Sequence, residues 1–306
     1  MSVDKENKRL RSRREERYMV QFLSAEEMKA LYWEKLLENE AVNQLIMGNM
    51  KAVCKAHEEG KEVQEDTRFG AILQENRVAY FFCNFLPYSM VVTSANPRET
   101  IYAEKCALEL AEAFHNQGIV FTGIHSSDVF AKAFMDCFAR QFREEMSMEI
   151  MVTKKANTYP LCGEIVRATV NDVEKVTEMY CNFCKEAVHQ DKTYEEVYTK
   201  VREMLDNPER DIWLYQVEGE IIGMHGSTRK LERGLSLTLV YVYPQYRGKG
   251  YCKEMVSWST EHYLEQGCQY VSLYVDRKNP FSNAAYQAVG FEYVAKTVDY
   301  KFVEEM

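Results

Sequence analysis

The 306-residue sequence has no apolar run long enough to span a bilayer. Its most apolar stretch, Val78 to Val92, is broken by Asn84 and Pro87 and falls short of the ~18 uninterrupted apolar residues a span needs. No secretory signal is visible, because residues 1–18 carry seven basic and four acidic side chains and no apolar block. Positive charge is also scarce: 38 Lys and Arg against 47 Asp and Glu give a net charge of −9. A broad nucleic-acid surface would need clustered cations, so nucleic acid is not an expected partner. The nine cysteines are odd in number and scattered, which excludes a disulfide framework and fits reduced thiols packed as small hydrophobes. Cys181-x-x-Cys184 lacks a second pair at zinc spacing, and the six histidines form no His-x-x-x-His cluster. The expectation is a cytoplasmic protein with neither a metal nor membrane contact.

What is present is an ordinary globular balance, with 46% hydrophobic and 28% charged residues, and a length that suits two domains at roughly 150 residues each. Residues 1–17 form a mixed-charge arm. Ser24-Ala25-Glu26-Glu27 is a capping-box pattern ahead of apolar residues at helical spacing. Strand text runs from Phe69 to Ser94 with a turn at Glu75-Asn76, followed by a helix over 101–116, a strand over 119–121, a helix over 128–144 and a strand over 148–153. Periodicity fails over Lys154–Cys162. The expected division is therefore a first domain at 18–155, a linker at 156–163 and a second domain at 164–306. The second domain reads strand, two helices, three strands, helix, strand, helix, strand, with a hairpin turn at Glu218-Gly219 and a helix stop at Asn207-Pro208.

The most informative stretch runs from Leu239 through Tyr243, Pro244, Gln245, Tyr246, Arg247, Gly248, Lys249 and Gly250 to Tyr251. A strand enters a glycine-bearing turn that opens an amphipathic helix. Two glycines let successive N–H groups converge, and the helix dipole adds positive potential, so a diphosphate is favoured there. A P-loop would need Ser or Thr where Gly250 stands, and a dinucleotide fingerprint a glycine where Lys253 stands. The pattern that fits is Gln-x-x-Gly-x-Gly, from Gln245, Gly248 and Gly250; a purely structural turn is the alternative. Downstream lies Asn279-Pro-Phe-Ser282-Asn283-Ala-Ala-Tyr286-Gln-Ala-Val-Gly290-Phe291. Together the two segments resemble the GNAT superfamily of N-acetyltransferases, over about Gly163–Tyr300. That resemblance implies an α/β (α+β) fold, a mixed and mostly antiparallel sheet flanked by helices. Glu40, Asn43, Leu45, Ile46 and Gly48, with the tail Val294–Phe302, are similar to a group of bacterial acetyltransferases in which a degenerate GNAT-like half precedes the working domain. The first half here has no Gly-x-Gly loop between strand and helix, so it is not expected to bind CoA by the usual route.

The resemblance also implies roles. The backbone of Leu239, Val240, Tyr241 and Val242 would pair with the pantetheine arm of acetyl-CoA, and an N–H near 240–242 would polarise the thioester carbonyl. Gln245 to Tyr251 would hold the diphosphate, chiefly through N–H groups of Arg247, Gly248, Lys249 and Gly250, with Arg247 and Lys249 adding charge at the rim. Asn279 would contact pantetheine or cap a helix before Pro280, and Ser282 lies in the same cofactor strap. Tyr286 would protonate the leaving thiolate, its alternative being a core aromatic. Candidate bases are His225, Glu186 and His189, against the alternative of a structural histidine. The expected activity is acetyl transfer from acetyl-CoA, as cosubstrate, to a small-molecule or peptide primary amine by direct attack, with a homodimer compatible. The competing expectation is a CoA-sensing or scaffolding module without catalysis.

Overall fold

The Ser24 hydroxyl accepts the Glu27 N–H (3.1 Å), and the Glu27 carboxylate takes the Ser24 N–H (2.8 Å), so helix α1 (Ala25–Leu37) starts where the capping box places it. This computed structural model describes residues 18–96, 102–187, 189–208 and 210–303; the expected arm at 1–17 lies outside them. Strand β1 (Tyr18–Leu23) precedes α1, and α2 (Glu40–Glu58) follows it. Then come β2 (Arg68–Gln74), β3 (Arg77–Asn84), β4 (Met90–Ser94), α3 (Ala103–Gln117), β5 (Gly123–Ser126), α4 (Asp128–Met135) and β6 (Phe142–Thr153). The β2–β3 turn places Glu75 and Asn76 at φ 47° and 66°, the left-handed pair a two-residue hairpin requires.

The second half runs β7 (Glu164–Arg167), α5 (Val173–Ala187), α6 (Tyr194–Asp206), β8 (Ile212–Val217), β9 (Glu220–Lys230), β10 (Gly234–Val242), α7 (Tyr251–Glu265), β11 (Tyr270–Asp276), α8 (Pro280–Val289) and β12 (Glu292–Phe302). The order strand, two helices, three strands, helix, strand, helix, strand therefore occurs twice. Contacts gather the described residues into two units. One holds 18–39, 45–145 and 298–303, the other 40–44 and 146–297. They interleave along the chain, unlike the linear division at 18–155 and 164–306, because most of β6 belongs to the second unit and the end of β12 to the first.

In the first unit the strand order is β1-β2-β3-β4-β5-β12, and in the second β7-β8-β9-β10-β11-β6. Neighbours are antiparallel except for β4 with β5 and β10 with β11. Apolar clusters cover both faces of each unit. In the first, α3 and α4 pack one face and α1 and α2 the other; in the second, α5 and α6 lie opposite α7 and α8. This is the mixed, mostly antiparallel sheet flanked by helices that the resemblance implied.

Two local expectations are corrected. The helix expected over 128–144 ends at Met135, and the strand expected over 119–121 forms at Gly123–Ser126. Residues 138–142 continue a helical apolar period, but tertiary packing overrides it. Phe138 packs on Phe121 and Phe134 (centroids 4.9 and 5.2 Å), and Phe142 packs on Tyr300 (5.3 Å). Among the described residues, no helix is long and apolar enough to cross a membrane and no group of three or more His, Cys, Asp or Glu could hold a metal.

Candidate active site

Strand β10 changes partners along its length. Its parallel pairing with β11 runs from Gly234↔Tyr270 to Leu237↔Leu273 and stops. Beyond that point β11 continues against β6, as far as Asp276↔Met148, while β10 continues against β9. The β9–β10 register jumps from Thr238↔Gly226 to Tyr241↔Met224, so Leu239 and Val240 together oppose His225. Leu239 sits at φ 55°, a conformation that L-residues adopt rarely. This bulge bends β10 away from β11 and opens a wedge between two parallel strands. Tyr243 N–H bonds back to Ile222 O (3.0 Å), so by strand alternation the peptide groups of Val242 face the open side. The side chains of Leu239 and Tyr241 pack toward α5, and that of Val242 toward α7, leaving backbone to line the wedge.

After β10, Pro244–Tyr246 makes a single 3-10 turn with Gln245 exposed. Gly248 and Gly250 follow at φ 79° and 96°, and α7 starts at Tyr251. Lys253 and Glu254 donate to Gly250 O (2.9 and 3.3 Å). Among the described residues, no backbone carbonyl accepts from the N–H groups of residues 248–252. These donors, at the positive end of α7, are an anion cradle. One expectation is corrected: Arg247 N–H is occupied by Pro244 O (3.2 Å), so the free donors begin at Gly248. The Arg247 guanidinium is exposed but engaged. It donates to Val242 O (2.8 Å), pairs with Glu186 (2.6 Å) and lies 5.4 Å from the Tyr241 ring centre. Lys249 remains exposed, its Nζ 5.8 Å from the Tyr246 ring centre.

The first turn of α7 is anchored from below. Buried Glu254 accepts the Tyr215 hydroxyl and Cys162 N–H (2.9 Å), and the Tyr251 ring meets Tyr215 edge-on at 5.8 Å. Nothing in the local sequence marks Glu254, because its partners are 39 and 92 residues away. After the end of β11, Asn279 Oδ1 accepts Ser282 N–H (3.1 Å), so the oxygen of this side chain serves as the helix cap. Asn283 closes the same turn by donating to Asp276 O (2.9 Å) and Asn279 O (2.8 Å). Tyr286 is buried against Phe291, with Cys252 and Ser282 beside its phenol. Burial pushes that phenol well above the ordinary tyrosine range, which keeps it a proton donor.

The three base candidates differ in position. His225 is fully buried on the α7 face, 6.1 Å from Trp258, with no partner at either ring nitrogen. Burial, with His262 nearby, pushes it down to about 3, so it is neutral and closed off rather than open to an acceptor. Glu186 has both oxygens engaged, one by the Tyr241 hydroxyl (3.1 Å) and one by Arg247. His189, just after α5, points Nε2 at Asp276 Oδ2 (3.6 Å), where β11 ends at the open side of the wedge, and is itself largely exposed.

The Acetyltransferase (GNAT) family model matches residues 174–291. That segment is a GNAT domain. It includes the bulged strand, the Gln245–Gly250 loop and Tyr286, and it supports acyl transfer as the general class of chemistry. A solved Drosophila protein is 12% identical, covers 93% of this chain and 98% of its own, and superposes with a TM-score of 0.62. A GCN5-related N-acetyltransferase from Sphaerobacter thermophilus is 14% identical, covers 94% and 96%, and gives 0.55. At such identities the likeness concerns fold alone, and it extends beyond the GNAT domain to the first half. No curated protein matches the chain.

Proposed function

We propose that this protein is an acyl-CoA-dependent N-acetyltransferase that moves acetyl from acetyl-CoA to a primary amine in a ternary complex. The observation that carries the reading is the unspent N–H row of residues 248–252 beside the β10–β11 wedge. The cradle binds the CoA diphosphate, and the free edge of β10 takes the pantetheine amides as an added strand. Val242 N–H, on the open side, donates to the thioester oxygen as negative charge develops there. His189, oriented by Asp276, takes the proton of the attacking amine, and Tyr286 delivers one to the leaving thiolate. Glu186 binds and neutralises Arg247, and so holds the loop that carries the cradle. The first half is a degenerate companion domain: it has the same order of elements but no Gly-x-Gly between β4 and α3. Calorimetry with CoA, followed by thiol release from acetyl-CoA across an amine panel, tests the reading. Micromolar CoA uptake with amine-dependent release is expected. Absence of uptake removes the reading, and uptake without amine-dependent release replaces it with a CoA-sensing module.

A further inference from the structure

Glu40 opens α2 in the first half of the sequence but groups with the second unit, far outside residues 174–291. Its side chain is buried, with 3% of the residue exposed, and it meets three donors. Oε1 accepts Glu232 N–H (2.6 Å); Oε2 accepts Arg233 N–H (3.1 Å) and the Tyr270 hydroxyl (2.8 Å). A carboxylate taken out of water is tolerated when its lone pairs are met by donors in good geometry, and such charge-assisted bonds are short and directional.

All three donors stand at the closed end of the wedge. Glu232 and Arg233 lead into β10, Tyr270 begins β11, and Gly234↔Tyr270 is the first pair of the parallel ladder. Gln269 N–H bonds to Arg233 O at 2.6 Å, so the turn and the start of β11 are already joined there. The Tyr270 ring lies so close over Gly234 that a Cβ at that position would come within 2.5 Å of it. A residue larger than glycine would push the phenol off its line to Glu40. Only four residue pairs separate this point from the place where the strands part. With so short a ladder, the angle of the opening is set by how firmly the closed end is held.

We propose that Glu40 is a positioning residue for the acetyl-donor site: it pins the starts of β10 and β11 together and thereby fixes the width of the wedge. The inference rests on the reading that this wedge holds the thioester donor. It makes the GNAT domain dependent on a carboxylate supplied from the first half of the chain.

The test uses the full chain and compares wild type with Glu40→Ala, Glu40→Gln and Tyr270→Phe. The measurements are CoA affinity by calorimetry, KM for acetyl-CoA, KM for the amine, kcat and melting temperature. Glu40→Ala is expected to raise the CoA Kd and the acetyl-CoA KM about tenfold, with the amine KM within about twofold. Glu40→Gln keeps an oxygen for the backbone donors and recovers most of the loss. Tyr270→Phe removes a single donor and weakens CoA binding about threefold. A lower melting temperature with unchanged donor affinity in Glu40→Ala overturns the proposal, as does an equal rise in both KM values. Should Glu40→Ala fail to fold, unchanged CoA affinity in Tyr270→Phe overturns it alone. If wild type takes up no CoA, the donor-site reading falls and the proposal with it; wild-type binding matched by the variants sinks only the proposal.

Discussion

His225 offers a quantitative test of how the second unit is built. Its ring is fully buried with both nitrogens unpartnered, and its folded-state pKa is about 3, against 6.5 for an unperturbed histidine. Between those values the unfolded chain binds a proton that the folded chain refuses, so stability falls as pH drops below 6.5 and goes on falling toward pH 3. One pKa unit corresponds to about 1.4 kcal/mol, so acidification from pH 7.5 to 5 costs about 2 kcal/mol through this residue alone. His225→Leu removes the titration and two unsatisfied polar atoms, so it should leave stability at pH 7.5 within about 1 kcal/mol of wild type. Urea unfolding followed by tryptophan emission suits the measurement, because Trp213 and Trp258 pack together 4.9 Å apart and Trp258 touches the histidine. The variant should lose about 2 kcal/mol less than wild type over that pH interval and should keep its turnover at pH 7.5. Equal pH slopes would refute the buried neutral imidazole. A hundredfold fall in turnover at unchanged stability would place His225 in the chemistry instead.

Three further outcomes follow from the site. Gly250→Ala forces a φ of 96° on an L-residue although its Cβ would meet nothing closer than 3.9 Å, so backbone strain alone should lower stability by ~1–2 kcal/mol and weaken CoA binding, read by urea unfolding and calorimetry. Tyr286→Phe should cut kcat about a hundredfold while CoA affinity stays within about twofold; an unchanged kcat removes the phenol from the proton path. His189→Gln should lower kcat about a hundredfold with the acetyl-CoA KM nearly unchanged, whereas Glu186→Gln should leave kcat near wild type and raise the acetyl-CoA KM by releasing Arg247. The reverse pattern would exchange their roles.

Features governed by neighbouring residues were legible in the sequence. The Ser24–Glu27 box, the Glu75-Asn76 turn and the Gly248/Gly250 loop all form as read, since each depends on a local cap, on a two-residue hairpin turn or on the freedom of glycine at positive φ. Features that depend on distant partners were not. Arg247 reads as a free rim cation, but Glu186, 61 residues upstream, pairs with it. Asn279 allowed either of two roles, and the Ser282 N–H three residues on takes its oxygen for a cap. His225 lies on the strand beside the cofactor strand, as expected, but which face its side chain takes depends on register around the bulge; that register sets it beneath Trp258. Glu254 carried no signal, and Glu40 entered only as part of a resemblance with no role attached, because the task of a buried carboxylate is recognisable only once its donors are in place.

The two halves separate what this fold requires from what acyl-CoA chemistry requires. Both contain a parallel strand pair joined by a helix, β4-α3-β5 and β10-α7-β11, and both place it within an otherwise antiparallel order. The fold asks only for alternating apolar faces and crossover helices, which many sequences satisfy. An anion cradle asks for more: consecutive N–H groups with no carbonyl to receive them, and left-handed backbone where they converge. Between Ser94 and Tyr102 the chain reads Ala-Asn-Pro-Arg-Glu-Thr-Ile, with no glycine and with Pro97, which has no N–H to offer. By sequence alone that segment lacks the glycines that Gly248 and Gly250 supply in the second half. Two halves with the same order of elements can therefore differ in whether their loop offers a donor row, and fold likeness alone cannot tell which half does the chemistry.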